Sequence, residues 1–166
     1  MKKVGILSIL VLLSLFSKAQ ENNYNWAFGF YGDVQAKTNG QHSFGMQAKY
    51  NVDKHSAFQA QVFGRKNFVG IGADYLFLIK DRTKSDFNIF VGPGIEQNFY
   101  WSTEDDGILR PEPKSSYFNV AGQAGASYYF RPVQLSIYAA YKVKYDFSNE
   151  EVSPNFISLG VRYHLW

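Results

Sequence analysis

Cysteine is absent from all 166 residues. Disulfide staples, thiol catalysis and thiolate metal sites are therefore excluded, as is a lipid-bearing cysteine behind an export signal. Long apolar runs are nearly absent too. The one present, from Val4 to Phe16, is about 13 residues long, well short of the roughly 20 a membrane-spanning helix needs. Excess charge disappears once the leader is set aside. The formal +3 rests on Lys2, Lys3 and Lys18; without them 14 basic residues face 14 acidic ones. A neutral chain of this kind gives no reason to expect nucleic acid as a partner.

Catalytic signatures are missing as well. GFYG, GIGAD and VGPGIEQ contain glycine but have no following helix and no Lys-Ser/Thr, so they are not phosphate loops. No nucleophile elbow surrounds Ser102 or Ser153. His42, His55 and His164 are far apart in sequence and give no reason to expect a metal cluster. No base–nucleophile pair can be named, so neither an enzyme nor a cofactor is expected.

What is present begins with an export signal. Lys2 and Lys3 precede the apolar run, and Ser17 and Ala19 stand at −3 and −1 if cleavage falls before Gln20. The expected division is a cleavable signal peptide over 1–19 and one domain over 20–166. An uncleaved N-terminal anchor is the alternative, and the short run argues against it. The rest is rich in aromatics, with 12 Tyr and 15 Phe in the whole chain, as strands and membrane-interface girdles favour.

From Asn25 onward the residues alternate with period two, the spacing of a strand with two unlike faces. Val133, Leu135, Ile137, Ala139, Tyr141, Val143 and Tyr145 share one parity; Gln134, Ser136, Tyr138, Ala140, Lys142 and Lys144 share the other. The pattern recurs in eight segments of about ten residues, the length a tilted strand needs to cross a bilayer. Connections at 36–41, 65–68, 102–115 and 146–154 are expected on the outside, two of them long; those at 51–55, 80–85 and Arg131-Pro132 are short. Pro93 predicts a bulge, because it cannot donate to a ladder. Interior glycines predict curvature or room for a large inward neighbour.

A soluble barrel alternates too, with its apolar face inward. Here the polar parity is mostly Gly, Ser, Asn, Gln and Ala, which suits a crowded lumen better than a water-facing surface. The expected fold is an all-β, transmembrane, up-and-down antiparallel barrel of about eight strands. Phe87, Ile89, Val91, Leu135, Ile137 and Val161 are expected to face lipid.

With its signal ending Ala-Gln, its eight amphipathic strands and the final NFISLGVRYHLW, the chain resembles the small outer-membrane barrels of the OmpX and OmpA-membrane-domain type. The resemblance implies a place in the cell outer membrane, with membrane lipid and lipopolysaccharide as surroundings. It also implies recognition of the C-terminal strand by the barrel-assembly machinery. One departure is that Trp166 has the parity of Arg162 and His164, not that of Tyr163 and Leu165.

The inward parity carries Asp33, Asp74 and Glu96 against Lys49, Arg65, Lys142, Lys144 and Arg162. Unpaired charges would be costly in that interior, so a charge network filling the lumen is expected. A polar channel for small solutes is the alternative. In the 102–115 loop, Glu104, Asp105 and Asp106 lack EF-hand spacing and read as a solvated acidic stretch, while Arg110 and Lys114 are candidates for lipopolysaccharide phosphates. The expected role is structural or interactive, through outer loops whose ligand the residues do not name.

Overall fold

Alternation of this kind leaves every strand with one face to bury, and eight such strands bury it by closing on themselves. The computed structural model describes residues 25–37, 40–101 and 115–165. They form β1 (Trp26–Gln35), β2 (His42–Asn51), β3 (Ser56–Arg65), β4 (Phe68–Leu78), β5 (Phe87–Tyr100), β6 (Ser115–Phe130), β7 (Leu135–Asp146) and β8 (Glu151–Leu165). Each strand pairs antiparallel with its chain neighbours. β1 also pairs with β8, from Trp26 opposite Leu165 to Gln35 opposite Phe156. Closure leaves no exposed sheet edge.

The two parities separate as expected. On β5, Phe87, Ile89, Val91 and Ile95 are exposed while Asn88, Phe90, Glu96 and Asn98 are buried. Ile137 and Val161 are likewise exposed, and Leu135 is half-buried beside the 131–134 turn. The outer face is the apolar one: Phe30 is 66% and Phe44 68% exposed. So much contiguous apolar surface is unstable against water. With a polar interior behind it, it is the layout of a barrel immersed in lipid.

Aromatic rings gather at both rims. Near the short turns Trp26 packs on Phe28 and Tyr50, Tyr75 on Phe58 and Phe77, and Tyr128 on Phe130. At the opposite rim Phe147 packs on Phe118 and Tyr145. Amphipathic rings favour such interfacial belts.

Two local expectations need correction. Pro93 makes no bulge: it stands opposite Gly122 in an unbroken β5–β6 register. The β4–β5 pairing skips Tyr75 and Leu76, opposite Pro93 and Gly92, and resumes without a shift. The missing donor is thus absorbed by a short gap in the ladder. The bulge lies elsewhere, where β8 passes Pro154 and Asn155 while β7 passes Val143 alone. Asn155 holds it with φ 68°, a conformation Asn tolerates better than most residues.

The 146–154 connection is also shorter than expected. Asp146 already pairs with Glu151, leaving a four-residue turn over 147–150. Only the 101–114 connection is long, and most of it, including Glu104, Asp105, Asp106, Arg110 and Lys114, lies outside the described residues, as do residues 1–24 and Trp166. The turns are closed locally. Asp53 accepts from the His55 N–H at 2.6 Å and the Ser56 hydroxyl at 2.7 Å. Those bonds, that of Ser56 foremost, hold its carboxyl below the usual carboxylate range.

Candidate functional site

Among the described residues seven charged ones are buried in the lumen, and β1, β5 and β7 bring four of the expected ones into one cluster. Inward parity sends Asp33, Glu96, Lys142 and Lys144 to the same level from three sides. Lys142 Nζ lies 3.1 Å from Glu96 Oε1 and 3.9 Å from Asp33 Oδ2. Lys144 Nζ lies 2.8 Å from Glu96 Oε2 and 3.6 Å from Asp33 Oδ2. Ser158 donates a further hydrogen bond to Asp33. Two carboxylates and two ammonium groups balance, as removal from water demands.

Asp74 stays apart from that cluster. Its Oδ2 accepts from Gln59 at 3.1 Å and Gln61 at 2.9 Å, and its Oδ1 has no hydrogen-bond partner among the described residues. Arg162, on β8, donates to Gln47 Oε1 at 3.1 Å and to Gln59 Oε1, with its guanidinium 3.9 Å from the centre of the Tyr138 ring. Tyr138 in turn donates to Gln47 at 3.2 Å. Lys49 is buried near the short-turn end. Arg65 is not in the buried network. It ends β3 at the opposite mouth, exposed, with its guanidinium 5.9 Å from the Phe68 ring. The parity is right, but the strand ends there, so the side chain emerges from the lumen.

An apolar layer in the lumen was not singled out from the sequence. Tyr31, Leu76, Leu78, Phe90 and Tyr138 are buried together with Phe63 and Phe68. Their parity was visible; their identity as a packed layer was hidden by the expectation of a polar interior. Glycines open space for them. A Cβ on Gly160 would lie 2.3 Å from the Tyr138 ring, and one on Gly70 2.5 Å from that of Phe63.

Cavities remain at the two ends. One of about 380 Å³ opens at the long-loop mouth, lined by Arg65, Tyr100, Lys144 and Asp146 among others. A smaller one of about 70 Å³ lies toward the short turns, lined by Lys49, Arg82, Arg162 and His164 among others. His164 reaches Ser136 Oγ at 2.8 Å, His55 the Leu78 carbonyl at 3.2 Å, and His42 packs against Phe44. Among the described residues no three His, Asp or Glu side chains are grouped to hold a metal.

Comparison with solved structures places the same barrel in several proteins. The N-terminal β-barrel domain of Pseudomonas aeruginosa OprF superposes with TM-score 0.68 at 12% identity, covering 86% of this chain and 98% of that one. Neisserial surface protein A gives 0.63 at 16%, over 86% and 98%. Ail, the attachment invasion locus protein of Yersinia pestis, gives 0.50 at 14%, over 84% and 96%. At these identities the likeness speaks for the fold alone. No curated protein matches the chain. The family model described as the outer membrane protein β-barrel domain matches residues 9–164, and the chain belongs to that family.

Proposed function

We propose that this protein is a closed, non-enzymatic barrel of the cell outer membrane that acts through its outer loops, with a lumen that does not conduct. The observation that carries this is the Asp33–Lys142–Glu96–Lys144 cluster stacked beside the Tyr31–Phe90–Tyr138 layer. Charged and apolar side chains, all less than a tenth exposed, occupy the middle of an interior that eight strands make narrow. The cavities at the two ends lie on opposite sides of that packing. Ail is described in complex with a heparin analogue and NspA as a surface protein. Both descriptions fit a reading in which such barrels display their loops. Arg110 and Lys114 would meet lipopolysaccharide phosphates, and the C-terminal strand would serve the barrel-assembly machinery.

Folded protein in a planar bilayer should show no steady single-channel conductance. A stable, anion-selective current that changes on Lys142→Glu would support the channel and overturn this reading. Export makes a second expectation. Mass spectrometry of protein from the membrane fraction should find an N-terminus at Gln20 or within a residue or two. An intact Met1 would show that the leader is retained.

A further inference from the structure

The buried charges do not balance, and the imbalance is local. Asp33, Asp74 and Glu96 are buried against Lys49, Lys142, Lys144 and Arg162. Asp33 and Glu96 pair with Lys142 and Lys144. Asp74 is held by two glutamine amides. That leaves Lys49 and Arg162, which are 7% and 2% exposed. Among the described residues neither lies within 4.0 Å of a carboxylate. Arg162 donates to Gln47 and Gln59 and faces the Tyr138 ring, and Gln59 in turn donates to Asp74, so one carboxylate stands a single amide away from Arg162 and Lys49 is the cation in excess. Lys49 has no hydrogen bond or ion pair among the described residues. A buried cation without a counter-charge is among the costlier arrangements in a protein interior.

Both residues line the 70 Å³ chamber toward the short turns, with Arg82, Ser136, Asn88 and His164 on its walls. Among the described residues Asp86 is the one carboxylate on its walls, and it is bonded to Arg131 at 2.6 Å. The chamber exceeds what one water needs, roughly 10–15 Å³, so it has room for a small ion. Its wall offers cationic donors, a hydroxyl and an amide. We propose that this chamber binds a small inorganic anion, of the size of a halide or orthophosphate, between Lys49 and Arg162. The anion supplies the charge the carboxylates do not, and it enters from the short-turn end. The site is separate from the loops that carry the proposed surface role and does not depend on that role.

The test uses the full mature protein refolded in maltoside detergent without phospholipid. Wild-type crystals soaked in sodium bromide should show bromide within hydrogen-bonding distance of Lys49 or Arg162. Calorimetric titration with inorganic phosphate should show saturable binding, weakened about tenfold or more by Lys49→Met, as loss of a charged hydrogen bond predicts. Arg65→Ala, at the opposite mouth, should leave it unchanged. Water alone in the bromide-soaked chamber would overturn the proposal without recourse to any variant. So would equal phosphate binding by Lys49→Met, or a chamber that takes up no inorganic phosphate and binds only phospholipid added to the detergent, which would identify a lipid phosphate as the ligand.

Discussion

Replacing Glu96 with glutamine is expected to lower the free energy of unfolding by about 3–5 kcal/mol, the range for breaking a buried ion pair from one side. Glu96 meets both lysines, at 3.1 Å from Lys142 and 2.8 Å from Lys144. Asp33 is farther from each, at 3.9 and 3.6 Å. Without the Glu96 charge, two ammonium groups are left facing one carboxylate out of contact with water. The glutamine side chain keeps the volume, so packing changes little and the loss reports charge. Urea unfolding of the refolded barrel, followed by tryptophan fluorescence or gel mobility, measures it.

The double variant Glu96→Gln, Lys142→Met should recover much of that loss. It leaves Asp33 with Lys144, one charge of each sign, and fills the place of Lys142 with an apolar chain of similar length. Replacing both members of a buried pair is often near neutral, whereas removing one is not. The coupling between the two sites should reach about 0.5–3 kcal/mol, as for residues in one network. A loss under about 1 kcal/mol for Glu96→Gln would mean that water reaches the cluster. The lumen would then be wet at its middle, and the closed-barrel reading would fail with it.

How far this could be read from the sequence depends on the kind of information. Period-two alternation is a property of the backbone, so the eight strands and their faces were legible from residues such as Phe87, Asn88 and Ile89. The grouping of Asp33 with Lys142 and Lys144 was legible only in part. It depends on closure of the barrel and on the stagger of distant strands, which no local pattern encodes. Arg65 shows the limit: its parity matches the inward set, but the strand ends there. Pro93 shows another. Its missing donor predicts some break in pairing, and the choice between a bulge and a gap is made by the neighbouring strand. The aromatic layer around Phe90 is not legible, because an inward phenylalanine contradicts a polar lumen unless the partner strands supply glycine, as Gly125 does for Phe90 and Gly70 for Phe63.

Leu159→Arg should destabilise the barrel by about 2–4 kcal/mol in a bilayer, the cost of a lipid-facing arginine near the midplane. Leu159 is 59% exposed on the outer face and stands opposite Gly32 and Ala139, well inside the strands. Ile137, closer to the short turns, should cost less on the same change, because the penalty falls toward the interface. Arginine at the adjacent Ser158 should fail for a different reason. It would lose the hydrogen bond to Asp33 and bring a third cation beside Lys142 and Lys144. That loss should not depend on bilayer thickness, whereas the Leu159→Arg loss should grow in thicker bilayers. The absence of native cysteine allows a direct check of the faces. Spin labels on Ile157→Cys and Leu159→Cys should be relaxed by oxygen dissolved in lipid, and one on Ser158→Cys should be shielded from it. The reverse result would turn the barrel inside out, with its apolar face inward and its charges toward solvent.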